Sequence, residues 1–423
     1  MVLSLVHIEV ESFLLRVLAF DICKYNRNEE HSRQTSLPPL IQKMSLPASN
    51  GKTVLISGIN GYIASNIGLD LLRKGYTVRG TSRSTSAKDV LLGGAFKGYE
   101  SRYEHEVVPD ITETGAFDKA VKGRSAMKIK PSVVYLHWLT NVTAIPGVHA
   151  IMHTASPLDF SLKTVDEFMH PAVNGNVSIL NSTLSAGPQL KSFVLTSSIA
   201  AIVDISKPDD YAFTEDDWNV NGEAVAREEF RAGPAYGASK AAAERAMWRW
   251  KEMHNPSFSL SAINPGVVTG PPVSFPSSPD KLNETLKPVW LIYSGEAKTM
   301  PAGIGGQSYI DVRDVSTLHI WCMEYPDESN GQRYIAANGK GTPQAAADIL
   351  RKAFPDRDIL IGEPESDYVP GTYDYPAGKR SVRATKAYKA LGVKSFIGFE
   401  QSILDTVKSF EERWPGLANN IKN

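Results

Sequence analysis

Thr53-Val-Leu-Ile-Ser57-Gly58-Ile-Asn-Gly61-Tyr-Ile-Ala64 is the stretch that decides the fold. A short apolar run is followed by two glycines, and then by apolar residues at helical spacing, Ile63, Ile67, Leu71 and Leu72. That order reads strand, turn, helix. The loop has the spacing G-x-x-G-x-x-A, with absent or small side chains where backbone amides and a helix amino terminus must approach a pyrophosphate. Taken alone it is also compatible with an ordinary tight turn, since 32 glycines produce chance patterns. Its place directly after the first strand of a βαβ unit favours a dinucleotide site.

Outward from this unit the same alternation repeats. Strands are expected at Tyr76–Thr81, Tyr103–Val108, Val148–Thr154, Lys191–Ser197 and Ser259–Asn264, with helices at Val173–Leu184 and Tyr236–Lys251 among those between them. Alternating strands and helices imply a parallel sheet covered on both faces, an α/β fold of the doubly wound, Rossmann type. Residues 51–265 form the dinucleotide-binding domain on this reading. From 266 to 423 the chain reads as a smaller, mainly substrate-binding lobe. It opens with a Pro- and Gly-rich stretch to about 306, and residues 307–324 return to the first domain as a strand and helix. A further strand at Arg333–Ala337 and helices near 342–354 and 398–412 complete it.

Composition narrows the partners. Forty-five basic residues against 46 acidic ones leave a net charge of −1, which gives no electrostatic footprint for nucleic acid or an anionic membrane. A small molecule is the expected partner, and the oligomeric state stays open. Cys23 and Cys322 are too few for a disulfide framework or a structural zinc site, which suits a reducing compartment and a cytoplasmic location. The first twenty residues are interrupted by His7, Glu9, Glu11 and Arg16, so no run reaches the roughly 18 apolar residues of a membrane span. Residues 1–50 read as a flexible leader, with Met44 just ahead of the first clean strand. The expectation is that translation begins there and that residues 1–43 are an extension or a dispensable tail.

The end of the second strand selects the dinucleotide. An acidic residue there would hold a ribose 2'-hydroxyl, but the residues are Gly80-Thr-Ser-Arg83-Ser84. An arginine attracts a 2'-phosphate, which favours NADP over NAD; the alternative is that Arg83 is a solvated loop residue. Further on, Tyr236-Gly-Ala-Ser-Lys240 opens a helix, and i,i+4 spacing puts phenol and ammonium on one face. A neighbouring cation favours phenolate, so Tyr236 could give and take a proton near neutral pH. Tyr375-Pro-Ala-Gly-Lys379 repeats the spacing, but Pro376 and Gly378 argue against a helix. Upstream, Phe193-Val-Leu-Thr196-Ser-Ser198 ends in hydroxyls at the carboxyl end of a strand, where such sheets bind ligands. Those hydroxyls could also simply cap the next element.

As a set, these features resemble the extended short-chain dehydrogenase/reductase superfamily, and more closely its dihydroflavonol-reductase-like branch with fungal methylglyoxal, aldehyde and ketone reductases. Further strings with that resemblance are Val107-Val-Pro-Asp110-Ile111, His153-Thr-Ala-Ser156-Pro157, Pro171-Ala-Val-Asn174-Gly175, Asn264-Pro265-Gly266 and Tyr309-Ile-Asp-Val-Arg-Asp314-Val315. The resemblance spans about 52 to 412. It implies NADPH-dependent reduction of an aldehyde or ketone to an alcohol, with Tyr236 protonating the carbonyl oxygen and Ser198 orienting it. Lys240 would hold the nicotinamide ribose and depress the Tyr236 pKa, and Asn174 would support a proton relay. Gly58, Asn60, Gly61, Tyr62, Ile63 and Ala64 would bind the pyrophosphate side. Arg83 would take the 2'-phosphate, Asp110 and Ile111 the adenine, Thr154, Ala155 and Ser156 would line the cofactor, and Pro265 to Val268 would pass the nicotinamide. No metal is implied. A nucleotide-sugar epimerase or dehydratase and a non-catalytic NADP-binding regulator are the competing readings of the same fold.

One segment departs from the pattern. Between the helix at Ala116–Gly123 and the strand at Val148 lie about 24 residues, where such loops take about 2 to 6. The segment includes the strand-like Val133-Val-Tyr-Leu-His-Trp-Leu139. Removing 124–147 restores the pattern, which suggests an in-frame retained intron; a genuine surface loop is the rival.

Overall fold

The computed structural model describes residues 47–122, 147–156, 160–303 and 308–418. The expectations for the leader before residue 47, for 123–146 and for Pro157 fall outside the described residues.

In chain order the elements of the first half are β1 (Thr53–Ser57), α1 (Tyr62–Arg73), β2 (Thr77–Ser82), α2 (Ser86–Gly93), β3 (Tyr103–Val107), α3 (Asp118–Lys122), β4 (Ala150–His153), α4 (Val165–Thr183) and β5 (Ser192–Thr196). There follow β6 (Ala212–Phe213), α5 (Gly222–Glu228), α6 (Ala232–His254), β7 (Ser259–Pro265), β8 (Val267–Thr269), α7 (Lys287–Ser294), β9 (Tyr309–Asp311), α8 (Val312–Glu324) and α9 (Pro326–Ser329). The last are β10 (Gln332–Ala336), α10 (Pro343–Ala353), β11 (Ser381–Val382), α11 (Thr385–Leu391) and α12 (Phe399–Arg413).

Seven strands form one sheet in the order β10-β7-β5-β4-β1-β2-β3, and every pairing in it is parallel. Strands β1, β4, β5 and β7 are buried along their whole length, as a sheet covered on both faces requires. This is the doubly wound, Rossmann-type sheet expected from the alternation. The order reverses between β1 and β4, so the crevice for a ligand opens beyond the carboxyl ends of those two strands.

Two boundaries move. The helix expected from Val173 starts at Val165 and holds Pro171 inside it. Thr164 caps it: the Thr164 hydroxyl accepts from Glu167 N–H, and the Glu167 carboxylate accepts from Thr164 N–H at 2.8 Å. That reciprocal cap fixes the start of the helix ahead of the proline. The strand expected at Arg333–Ala337 is β10, and it joins the main sheet beside β7 instead of standing in the second lobe. The sheet therefore crosses the boundary drawn at 265. Beyond it, Trp290, Tyr293, Leu350, Ile403 and Phe410 of α7, α10 and α12 form a separate apolar core. Tyr62 O–H donates to the Gly270 carbonyl at 2.7 Å, and Gly270 N–H donates to Thr406 Oγ1 at 2.8 Å, tying that core to the first loop.

The ends of the anomalous segment lie together. Val148 N–H donates to the Val121 carbonyl at 3.2 Å. If residues 124–147 are excised, Val121, Lys122, Gly123 and Val148 become consecutive, and this contact becomes the i to i+3 hydrogen bond of a β-turn. A Cβ at Gly147 would stand 2.9 Å from the Ala186 carbonyl, so the position needs a glycine, which Gly123 supplies. The shortened chain is expected to melt at an equal or higher temperature, with unchanged cofactor binding, because a long closed loop is removed. Calorimetry of the two forms checks this; a midpoint several degrees lower would show that the segment is an integral part of the fold.

Candidate active site

The loop after β1 is shaped for close approach. Gly58 has φ +66°, and a Cβ there would lie 3.2 Å from Ala155 Cα. Gly61 N–H donates to the Gly58 carbonyl at 2.8 Å, and Gly61 precedes the first turn of α1, which holds no acidic residue. The amino-terminal amides of α1 thus face the crevice with their partial positive charge unopposed from their own turn. Ala64 is buried and Asn60 is exposed. Tyr62 and Ile63 are half-buried, and the Tyr62 phenol is engaged with Gly270, so Tyr62 offers the crevice its backbone and not its hydroxyl.

Across the switch point, Ser57 Oγ accepts from Thr154 N–H and Ala155 N–H, both at 3.0 Å. Its own proton therefore goes to His153 Nδ1 at 2.8 Å, leaving the imidazole proton on Nε2. Burial, with the charge of Lys240 adding to it, lowers the His153 pKa to about 3, so the ring stays neutral. The Thr154 hydroxyl donates to the Ser57 carbonyl. It works as a strand tie and is not aimed at a ligand. The sequence reading placed Thr154, Ala155 and Ser156 here but missed Ser57 and His153, which lock the two strand ends.

Arg83 stands exposed directly after β2. Asp110, beyond β3, accepts from Thr112 N–H at 2.8 Å and Thr112 O–H at 2.7 Å, and these bonds hold its pKa below the usual carboxylate range. Ile111 packs on α4 at Gly175, where an added Cβ would meet its Cδ1 at 2.7 Å.

Ser198 follows β5 and caps a short 3-10 turn, accepting from Ala200 N–H at 3.1 Å. Opposite it, α6 presents Tyr236, Lys240 and Glu244 at successive i+4 positions, on one face. Burial raises the Tyr236 pKa, and a hydrogen bond with the Ser198 side chain works against that rise. Lys240 Nζ lies 5.7 Å from the Tyr236 ring centre. Burial lowers the Lys240 pKa to about 8, with Glu244 working against it. In the protein alone the Tyr236 pKa rises, where the sequence led to the expectation that Lys240 would depress it: desolvation of the phenol outweighs the Ser198 hydrogen bond. Phe160 meets the Tyr236 ring edge-on at 5.7 Å. Pro265 ends β7, and Val268 is buried in β8.

Asn174 is exposed, and it is not among the residues that line the narrow cleft beside Lys240. Asn176 lines that cleft with His153, Ser156, Ser197, Lys240 and Glu244. Its Nδ2 donates to the Ala243 carbonyl at 2.6 Å, while its Oδ1 has no hydrogen-bond partner among the described residues.

Behind the trio lies a feature the sequence reading missed. Glu244 is fully buried, and its carboxylate accepts from Ser197 O–H (2.6 Å), Asn264 Nδ2 (2.8 Å), Arg333 Nε (2.5 Å) and Nη2 (3.3 Å), and Trp248 Nε1 (3.3 Å). Asn264 Nδ2 also donates to the Ser198 carbonyl at 3.1 Å. The only hint in the sequence was a carboxylate one helical repeat beyond Lys240.

A model of the NAD dependent epimerase/dehydratase family matches residues 54–337, a span that includes the glycine loop, Ser198, Tyr236 and Lys240. The chain belongs to this family. A putative NADPH-dependent methylglyoxal reductase of Candida albicans is 33% identical over 368 residues, covering 85% of this chain and 98% of that protein. An NADPH-dependent methylglyoxal reductase of Saccharomyces cerevisiae is 32% identical over 375 residues, covering 85% and 99%. The crystal structure of the yeast methylglyoxal/isovaleraldehyde reductase complexed with NADPH superposes with a TM-score of 0.70 at 30% identity, covering 85% of this chain and 98% of that one.

In this family member the Glu244 carboxylate balances a buried arginine, so Glu244→Gln should destabilise the fold by about 3–5 kcal/mol in urea denaturation, because Arg333 keeps its charge without a counterion. Adding Arg333→Met should recover part of that loss. A loss for Glu244→Gln below about 1 kcal/mol, the range of a surface pair, would remove the node from the account.

Proposed function

We propose that this chain reduces an aldehyde or ketone to the alcohol with NADPH. The observation that carries the reading is the Tyr236 phenol against Ser198, one helical turn from Lys240, at the carboxyl edge of the sheet beside the glycine loop. The relatives named as NADPH-dependent reductases support it over most of the chain.

The residues present fit the cofactor. Gly58 and Gly61 leave a cradle that a Cβ would fill, the first turn of α1 holds no carboxylate, and Arg83 is an exposed cation directly after β2, of the charge that suits a 2'-phosphate. When bound, NADPH supplies a hydride to the carbonyl carbon. The protein deals with the oxygen. Ser198 donates a hydrogen bond that orients the carbonyl, and Tyr236 transfers its proton to the oxygen as the C–O π pair becomes an alkoxide lone pair. Burial keeps the phenol protonated near neutral pH, which is the form a proton donor requires. The phenolate left behind is stabilised by the charge of the Lys240 ammonium in a site of low polarity, where such an attraction is strong. Phe160 closes one side of Tyr236 with an apolar surface suited to the carbon substituents of the substrate. The reading places the enzyme in the cytoplasm; among the described residues no helix is long and apolar enough to cross a membrane.

Tyr236→Phe should lower kcat by about 10²- to 10⁴-fold, the usual range for a lost general acid, with NADPH affinity retained. NADPH consumption with a panel of aldehydes and ketones, beside a fluorescence titration of the cofactor, reads both. A variant with wild-type turnover would remove the phenol from the mechanism.

A further inference from the structure

Under that reading, the end of β2 and the turn after it (Ser82, Arg83, Ser84) receive the 2'-phosphate. Directly beside it, on β3, lies His105, whose backbone is in register with Gly80 of β2. The Ser82 hydroxyl donates its single proton to the Ser84 carbonyl at 2.7 Å. His105 Nε2 lies 3.1 Å from Ser82 Oγ and 3.3 Å from the Ser84 carbonyl, two acceptors, so Nε2 is the donor to both. Nδ1 of the neutral ring then accepts from Tyr103 O–H at 2.8 Å. One hydrogen-bond chain therefore runs from Tyr103 through His105 into the two residues that flank Arg83.

The charged groups around this imidazole are Lys88 and Asp89 from α2, Arg83 from the turn, and Glu106 from its own strand, the last paired with Lys119 of α3. Partial burial lowers the His105 pKa. The Ser84 carbonyl works against that, Lys88 adds to it, and Glu106 and Asp89 oppose it. In the protein alone the ring is thus biased to the neutral form at physiological pH. A phosphate bearing about two negative charges on the neighbouring turn changes that balance toward the imidazolium.

We propose that His105 is a positioning residue for the 2'-phosphate turn, and that its protonation makes the preference for NADPH over NADH grow as the pH falls. This rests on the assignment of Arg83 to the 2'-phosphate. The sign follows from linkage. A phosphate that raises the His105 pKa in the complex binds more tightly wherever the complex holds the extra proton. The gain is absent above the pKa of the complex, and it builds as the pH falls toward the pKa of the free protein. With the phosphate reached through the turn and not by direct contact, a rise of about one unit is expected, hence about a tenfold gain in preference at most. NADH lacks the phosphate and should leave the His105 titration where it is.

The test uses full-length protein with 13C-labelled histidine, titrated by NMR alone, with saturating NADP+ and with saturating NAD+; loss of one signal in His105→Gln assigns the resonance. NADPH and NADH affinities of both proteins are measured by fluorescence over the same pH range. The 2'-phosphate's own protonation, near pH about 6, acts in both proteins and drops out of their difference. The expected result is a His105 midpoint raised by about one unit with NADP+ and not with NAD+. His105→Gln, which keeps a donor at the Nε2 position, should still prefer NADPH but lose the acid-side growth of that preference. Equal midpoints with the two cofactors, or a variant that follows the wild-type pH course, would overturn the proposal while leaving Arg83 in place. No preference for NADPH at any pH would instead overturn the Arg83 assignment, and this inference with it.

Discussion

The carboxylate of Glu244 is the interaction on which the arrangement of the site depends. It gathers side chains from Arg333 on β10, Asn264 on β7, Ser197 just beyond β5 and Trp248 on α6 itself. A buried anion with a single cation for a partner would be expensive; five hydrogen bonds from four side chains satisfy it. The geometric result is that α6 is fixed against three adjacent strands, at the carboxyl ends of β5 and β7 and near the amino end of β10. Lys240 and Tyr236, one and two turns before Glu244 on the same face, are thereby set opposite Ser198. Asn264 adds a direct tie to the Ser198 carbonyl, so the hydroxyl and the phenol are located by one network behind them.

Desolvation acts on the two ionisable groups in opposite chemical senses, raising the Tyr236 pKa and lowering that of Lys240. Both shifts favour the uncharged form. At neutral pH the resting pair is nevertheless a neutral phenol beside a cationic lysine, because the lowered Lys240 pKa, about 8 with Glu244 supporting it, still lies above that pH. Removing the phenol proton creates an anion next to that cation in a medium that screens poorly, so their attraction is greatest once proton transfer has begun. Neutral His153, kept so by burial and by the Ser57 hydrogen bond, adds no competing charge at the same strand edge.

Local patterns made much of this legible. The glycine loop, the buried strands and the Tyr-Lys spacing are each written within a dozen consecutive residues, and each lies where the sequence placed it. What the sequence hid depends on distance or rotation. Asn174 and Asn176 are two residues apart, which on a helix is a rotation of about 200°, and of the two Asn176 lines the cleft beside Lys240. The Glu244–Arg333 pair joins positions far apart in the chain, as does the Tyr62 bond to Gly270, so no window of sequence contains either. The helix expected from Val173 starts eight residues earlier, where the Thr164–Glu167 cap sets its beginning ahead of Pro171. β10 reads as part of a separate lobe because nothing local says which sheet edge a late strand joins. The setting of His105 depends on the neighbouring strand: its partners Ser82 and Ser84 lie more than twenty residues earlier in the chain.

The central claim is that the site neutralises an oxyanion formed by hydride arriving directly from NADPH. A single-turnover reaction with NADPH deuterated at nicotinamide C4, in each stereochemical form, and a small aldehyde tests this most directly. The account predicts deuterium on the former carbonyl carbon from one cofactor stereoisomer only, with the hydroxyl proton taken from the protein and solvent. Deuterium that stays on the cofactor, exchanges into water, or transfers equally from both faces would contradict it.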